Sequence, residues 1–167
     1  MRTDPALVEA IETCHEEWDP TRSPDTAGFD ALLERWPDDP VALIAVGDAH
    51  DECGGTEKAI VSYRAAMPRL DGTALRRCAL RLGDALRRAG RLDESVSVLE
   101  AALEEFPGSR SLRTFLALAM HEQGRTQTAL GLVLEVLVDP APSPDLELFR
   151  PAVRARAEQL FARDRAA

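Results

Sequence analysis

Residues 47–55 read GDAHDECGG, so Asp48, His50, Asp51, Glu52 and Cys53 crowd into six consecutive positions. Side chains of these types serve as metal ligands, general bases and nucleophiles, which raises two chemistries: a small metal site or a hydrolytic centre. Helical spacing opposes both. At 3.6 residues per turn, Asp48 and His50 project about 200° apart on a helix and cannot converge on one atom. The chain contains no GxSxG, HExxH, CxxC or GxxxxGK[ST], and GGTEK at 54–58 lacks the loop length and the preceding strand that phosphate cradling needs. The expectation is a chain that is not an enzyme, with no catalytic residues, no metal and no cofactor.

The elements around the cluster explain its glycines. VGDAHDECGGTEKAIVSYRAAM, LGDALRRAGRLDESVSVLEAAL and LALAMHEQGRTQTALGLVLEVL align on Gly54, Gly90 and Gly124, which lie 36 and 34 residues apart. In each, an apolar helix stops at the glycine. A second helix then carries Ala59, Ser95 or Ala129 five residues on, and Tyr63, Leu99 or Val133 four further. Glycine in the left-handed conformation is the common way to end a helix, so these three positions read as turns. Gly47 and Gly83 fall inside helices instead, where glycine costs ~1 kcal/mol relative to alanine; a close helix–helix approach would offset that loss.

This pattern resembles the tetratricopeptide repeat, a unit of thirty-four residues with a W-x2-L-G-x2-Y, A-x3-F, P signature. Val46-Gly47, Leu82-Gly83 and Leu116-Ala117 occupy the L-G slot; His50, Leu86 and Met120 take the first aromatic slot; Pro107 is the terminal proline of the middle unit. The first unit has two extra residues around PRLDG, and all three lack the leading tryptophan. The runs AHDECG and RLGDALRRAGRLDESVSVLEAALEEFPGS are similar to small stand-alone bacterial proteins of tetratricopeptide repeat group five. The resemblance implies an all-α, right-handed solenoid of antiparallel helix pairs, and a binding scaffold without catalytic residues.

The flanks extend the architecture. Leu7, Ile11, Cys14 and Trp18 recur at helical spacing, and SPDTAGFDALLERWPDDP reads as a second helix capped by Ser23, started at Pro24 and apolar at Phe29, Leu32 and Leu33. After DPAPSPD, the residues Leu146, Phe149, Val153, Leu160 and Phe161 define a last helix with Pro151 as a kink, its outer side supplied with Arg150, Arg154, Arg156, Arg163 and Arg165. The expected organisation is one domain over 1–167: a degenerate leading helix pair at 1–39, repeat units at 40–75, 76–109 and 110–142, and a capping helix at 143–167, about nine helices in all.

Composition limits the partner. The net charge is −9, which disfavours nucleic acid and anionic membrane, both of which are held by Lys and Arg. Three cysteines at unrelated spacings fit reduced thiols and a cytoplasmic setting, and MRTDPALVEAIE is not a signal peptide. Charge is segregated along the chain: residues 1–57 carry three basic and fifteen acidic side chains, residues 58–91 nine basic and two acidic.

Equivalent residues of successive first helices line one surface of a repeat stack. Counting back from the turn glycines gives Asp51, Arg87 and His121 three before; Glu52, Arg88 and Glu122 two before; Asp48, Asp84 and Leu118 six before; Ile44, Leu80 and Thr114 ten before; Val41, Arg77 and Ser111 thirteen before. Two uses compete for these charges. They can pair internally, Asp51 with Arg87, Glu52 with Arg88, and Arg77 and Arg81 with Asp84. They can instead hold the carboxylates and amines of a partner, a task suited to the planar fork of arginine.

The candidate partner-binding residues on the concave face are Asp48, Asp51, Glu52, Arg77, Asp84, Arg87, Arg88, Thr114 and His121. The partner expected is a protein or peptide of mixed charge. The alternative is a self-associating homodimer without a peptide groove. His50 is expected in the core with one hydrogen bond, Cys14 and Cys78 in the core, and Cys53 partly exposed beside the turn.

Overall fold

The computed structural model describes residues 3–18, 25–138, 151, 154–155, 157–159 and 161–162. Among them are nine α-helices: α1 (Pro5–Glu17), α2 (Ala27–Asp30), α3 (Leu32–Arg35), α4 (Pro40–Glu52), α5 (Thr56–Ala66), α6 (Gly72–Arg88), α7 (Leu92–Glu105), α8 (Arg110–Glu122) and α9 (Thr126–Val138). The described residues within 151–162 are helical as well. Ser23, Pro24, Arg150, Arg156, Arg163 and Arg165, with the DPAPSPD segment and Leu146, Phe149, Val153 and Leu160, lie outside the described residues. The chain forms two compact units, Met1–Ala89 and Gly90–Ala167.

In the first unit, helix starts are written into the sequence as acid–proline pairs. Asp4 accepts from Ala6 N (3.0 Å) ahead of Pro5, and Asp39 accepts from Val41 N (2.8 Å) ahead of Pro40. Each carboxylate satisfies an amide that has no partner inside the helix, and proline at the first position sacrifices none. The leading helix expected over the FDALLER run is divided at Ala31 into α2 and α3, yet Phe29 and Leu32 stay buried as its apolar face. They form a core with Leu7, Ala42, Ala45, Val46 and Ala49. Trp18 and His15 set their rings against Phe29, centroids 5.1 and 5.0 Å away, and so fasten α1 to α2.

The turn glycines do what the alignment requires. Gly54, Gly90 and Gly124 have φ of 77°, 73° and 86°. After α4, Gly55 N donates to His50 O (2.7 Å); after α8, Arg125 N donates to Met120 O (2.9 Å). These are the six-to-one closures of a left-handed helix end. The two additional residues of the first unit are absorbed by a 3-10 turn at Met67–Arg69, ahead of Gly72 at φ 49°.

Gly47 has the other function. A Cβ built on it would lie 2.6 Å from Cε1 of Tyr63, so only glycine lets α5 approach α4 this closely. Tyr63 is 1% exposed, and Ile60, Ala66, Cys78, Ala79, Leu82 and Leu86 fill the space between α5 and α6 around it. Burial pushes the Cys78 thiol up to about 11, and the thiol donates to Tyr63 O (3.5 Å), which marks it as a packing side chain rather than a nucleophile. Cys78 is fully buried; Cys14 is only half-buried and contacts Gly28 O (3.4 Å), and Cys53 is half-buried too.

The second unit pairs α7 with α8 and α8 with α9. Ser109 caps α8 through Leu112 N (3.3 Å), and Arg110 reaches forward to Val136 O (3.0 Å), a cation on the electronegative end of α9. Leu112, Leu116, Ala117, Ala119 and Met120 of α8 meet Ala129, Leu132 and Val138 of α9. Ala117 stands buried where the other units have glycine. The Val133 slot departs from the repeat: it is 47% exposed, whereas Tyr63 and Leu99 are buried at 1% and 0%. The interior approach is taken by Gly131 instead, where a Cβ would come within 2.5 Å of Phe161 Cε1.

The glycine contact yields a prediction whose sign is informative. On helix propensity alone Gly47→Ala should gain ~1 kcal/mol. The clash with a ring held on all sides reverses this, and the expected outcome is a loss of ~1–3 kcal/mol in denaturant unfolding. Gly108, with open space around its Cβ position, supplies the control: Gly108→Ala should stay within ~0.5 kcal/mol of the parent.

Candidate functional site

The opening cluster is divided between two sides of α4. His50, 6% exposed, points toward α2, where Nε2 donates to Asp30 Oδ1 (2.7 Å). Thr26 Oγ1 donates to the other oxygen of Asp30 (3.0 Å) and lies 3.4 Å from His50 Nδ1. The expected core histidine is therefore held by a carboxylate and a hydroxyl, not by a single bond. It fastens α2 to α4 and is removed from any surface chemistry. Neither Thr26 nor Asp30 has a motif around it; their only sequence signal is a spacing of four on a short amphipathic run.

Asp48 lies on the opposite side. Tyr63 Oη donates to its Oδ1 (2.8 Å), and Arg81 Nε reaches the same oxygen (2.7 Å). Burial pushes the Asp48 carboxyl up; the Tyr63 hydroxyl and the Arg81 guanidinium pull it back down, and burial prevails. Burial and the adjacent Asp48 carboxylate likewise drive the Tyr63 hydroxyl far up, so it serves as a donor and not as a base. Because the Asp48 value is raised on folding, its contribution is most favourable in acid and declines as pH rises through its folded-state value. The Tyr63 hydroxyl and the Arg81 guanidinium offset part of the cost of its charge.

Next along the face, Arg88 Nη2 grips both oxygens of Asp51 at 2.5 and 2.6 Å, and its Nε donates to Asp84 Oδ2 (3.1 Å). Arg87 takes the remaining oxygen of Asp84, Nη2 to Oδ1 at 2.7 Å. The hydrogen bond that Arg88 donates to Asp51 holds the guanidinium further toward its charged form. Asp48–Arg81 and Asp51–Arg88 advance together along both helices, so α4 and α6 run in the same direction.

These pairs correct the sequence expectation in register. Asp51 meets Arg88 and not Arg87, Arg81 meets Asp48 and not Asp84, and Arg88 is engaged by Asp51 and Asp84 and not by Glu52. The reason is geometric: facing helices offset their ridges, so the residue opposite a given position is not its repeat equivalent. Two contributors were not among the candidates. Arg81 pairs across helices, and Tyr63 contributes its hydroxyl; the apolar body and polar tip of tyrosine are the clue the sequence offers.

The remaining candidates separate clearly. Arg77 is exposed on α6 and makes no ion pair among the described residues, and the same holds for Glu52 at the end of α4. In the second unit, Thr114 and His121 are exposed on α8, with Thr114 Oγ1 donating to Arg110 O (2.9 Å). A concavity of about 290 Å³ in that unit is lined by Arg113, Glu135, Val138, Arg154 and Glu158 and includes none of the candidates. Among the described residues, no three His, Cys, Asp or Glu side chains gather as metal ligands, and no helix is long and apolar enough to cross a membrane.

The face therefore contains arginines held in ion pairs, and Arg77, exposed, with none among the described residues. A double-mutant cycle on Asp51→Ala and Arg88→Ala, read by chemical denaturation, should return a coupling of ~0.2–1 kcal/mol that shrinks in high salt. Arg77→Ala should leave stability within ~0.5 kcal/mol of the parent.

Comparison with known proteins places this geometry. A family model described as tetratrico peptide repeat matches residues 40–160. No curated protein sequence matches the chain. Among solved structures, one titled "MamA RS-1 ArsTM double mutant" is similar in fold, with a TM-score of 0.64 at 15% identity, over 96% of this chain and 92% of that one. The packed helix pairs, the positive-φ glycines at the helix ends and the family match agree, and the chain belongs to the tetratricopeptide repeat family.

Proposed function

We propose that the chain is a non-catalytic protein-binding module whose contact surface is the first-helix face formed by α4 and α6. The observation that carries this reading is the division of labour among its arginines. Arg81, Arg87 and Arg88 are held by Asp48, Asp51 and Asp84, while Arg77 stands exposed beside them with no ion pair among the described residues. An exposed arginine on a helix, beside side chains already engaged with one another, can take a carboxylate in its planar fork. Glu52, at the other end of α4, offers the opposite charge. The partner segment would thus bring a carboxylate to Arg77 and an amine or guanidinium toward Glu52.

Asp48, Asp51, Asp84, Arg87 and Arg88 keep a place in this proposal as the frame of the surface. Thr114 and His121 belong to it as a separate contact on α8. Family membership supports the reading at the coarser level, since tetratricopeptide repeats serve as protein-interaction scaffolds.

The experiment uses the variant predicted to be harmless to the fold. Immobilised peptides of mixed charge, and native lysate over the tagged protein, should both be retained by the parent and lost by Arg77→Glu with its unfolding midpoint unchanged. Equal retention by parent and variant, or none by either, contradicts the proposal.

A further inference from the structure

The α4–α6 face changes its chemistry in order along the two helices. Arg77 stands exposed at its start on α6, and Ile44 and Leu80, each half-buried and one turn ahead of Asp48 and Asp84, follow as an apolar step. Asp48 comes next, with Arg81 against it, and Glu52 closes the face, exposed at the end of α4. The ion pairs set the length. Because Arg88 grips Asp51, the neighbour of Glu52, the level of Glu52 is near that of Arg88, eleven residues beyond Arg77 on α6. At 1.5 Å per residue the two exposed charges are ~16 Å apart along the face.

Asp48, between them, has room for one more donor. Tyr63 Oη and Arg81 Nε both meet its Oδ1, and Oδ2 accepts no hydrogen bond among the described residues. The side chain keeps 28% of its surface exposed, and burial outweighs the two donors in its acidity, so a further N–H from outside would stabilise the charge. The conformation of a partner decides whether it has one to give. A helix engages its interior N–H groups with its own carbonyls, whereas an extended chain carries unpaired N–H groups along its length.

Resting on the proposal that this face binds a partner, we infer that the partner is an extended segment with an acidic, an apolar and a basic side chain at positions i, i+2 and i+4. The acid meets Arg77, the apolar side chain lies on Ile44 and Leu80, and the base reaches Glu52. A backbone N–H between the apolar residue and the base donates to Asp48 Oδ2. The spacing follows from strand geometry: alternate residues share one side, and four steps of ~3.3 Å cover ~13 Å, the side chains of the end residues making up the remainder. A helix would need about eleven residues for the same span and would leave Asp48 Oδ2 without its donor.

Fluorescence anisotropy with end-blocked synthetic peptides tests the pattern, each peptide carrying one Asp, one Leu and one Arg in a Gly–Ser background. Asp-x-Leu-x-Arg should bind the parent most tightly. Moving the Arg to i+3 or i+8, replacing the Leu by Ser, or methylating the backbone nitrogens between Leu and Arg should each weaken binding by about fivefold, the loss of one exposed contact. Arg77→Glu should reject this peptide and take Lys-x-Leu-x-Arg in its place, with an unchanged unfolding midpoint. Equal affinity at every spacing, or for the N-methylated peptide, overturns this inference while the α4–α6 face stands, provided Arg77→Glu still weakens all the Asp peptides. No binding by any peptide, or binding that Arg77→Glu leaves unchanged, overturns the inference and the proposed surface together.

Discussion

The contact between Gly47 and the ring of Tyr63 is the constraint on which the first unit depends. With no Cβ in the way, α5 approaches α4 closely enough for the tyrosine hydroxyl to pass the backbone and reach Asp48. Asp48, held there, accepts from Arg81, and Arg81 fixes the phase of α6. Arg88 and Arg87 then fall within reach of Asp51 and Asp84. A missing methyl group in the sequence is in this way linked to the direction in which a row of arginines points.

That linkage explains why a half-buried carboxylate is retained where an apolar residue would be easier to accommodate. Burial raises the cost of the Asp48 charge, and the net effect on its acidity shows that the two donors do not cancel that cost. What the arrangement confers is specificity of placement. Surface ion pairs add little stability singly, ~0–1 kcal/mol each, but a chain of them sharing Asp84 and Arg88 fixes side chains that would otherwise sample many rotamers. A surface held in this manner loses less entropy on receiving a partner.

The repeat was legible in the sequence because its determinants are local and carry distinctive residues. Gly54, Gly90 and Gly124 had to adopt positive φ, and they do; Ala59, Ser95 and Ala129 had to be small and buried, and they are. The division of the opening cluster was legible too, since helical phase alone separates Asp48 from His50. Partner choice across helices was not. Whether Asp51 meets Arg87 or Arg88 depends on the crossing of two helices thirty-seven positions apart, which no periodicity encodes. The Val133 slot departs for a related reason: the pattern marks a position as apolar, while its burial depends on tertiary packing that periodicity does not encode. Asp30 and Thr26 are not legible because a short helix offers too few turns to show a polar stripe.

The central claim is that Arg81, Arg87 and Arg88 are committed to neighbours while Arg77 is available to a partner. The most direct measurement follows the arginine side-chain Nε–H resonances by heteronuclear NMR during titration with a peptide carrying a carboxylate and an amine. The account predicts that the Arg77 resonance shifts and saturates, while those of Arg81, Arg87 and Arg88 stay in place and retain slow solvent exchange. An unshifted Arg77, or release of Arg88 from Asp51 as the peptide is added, would contradict it.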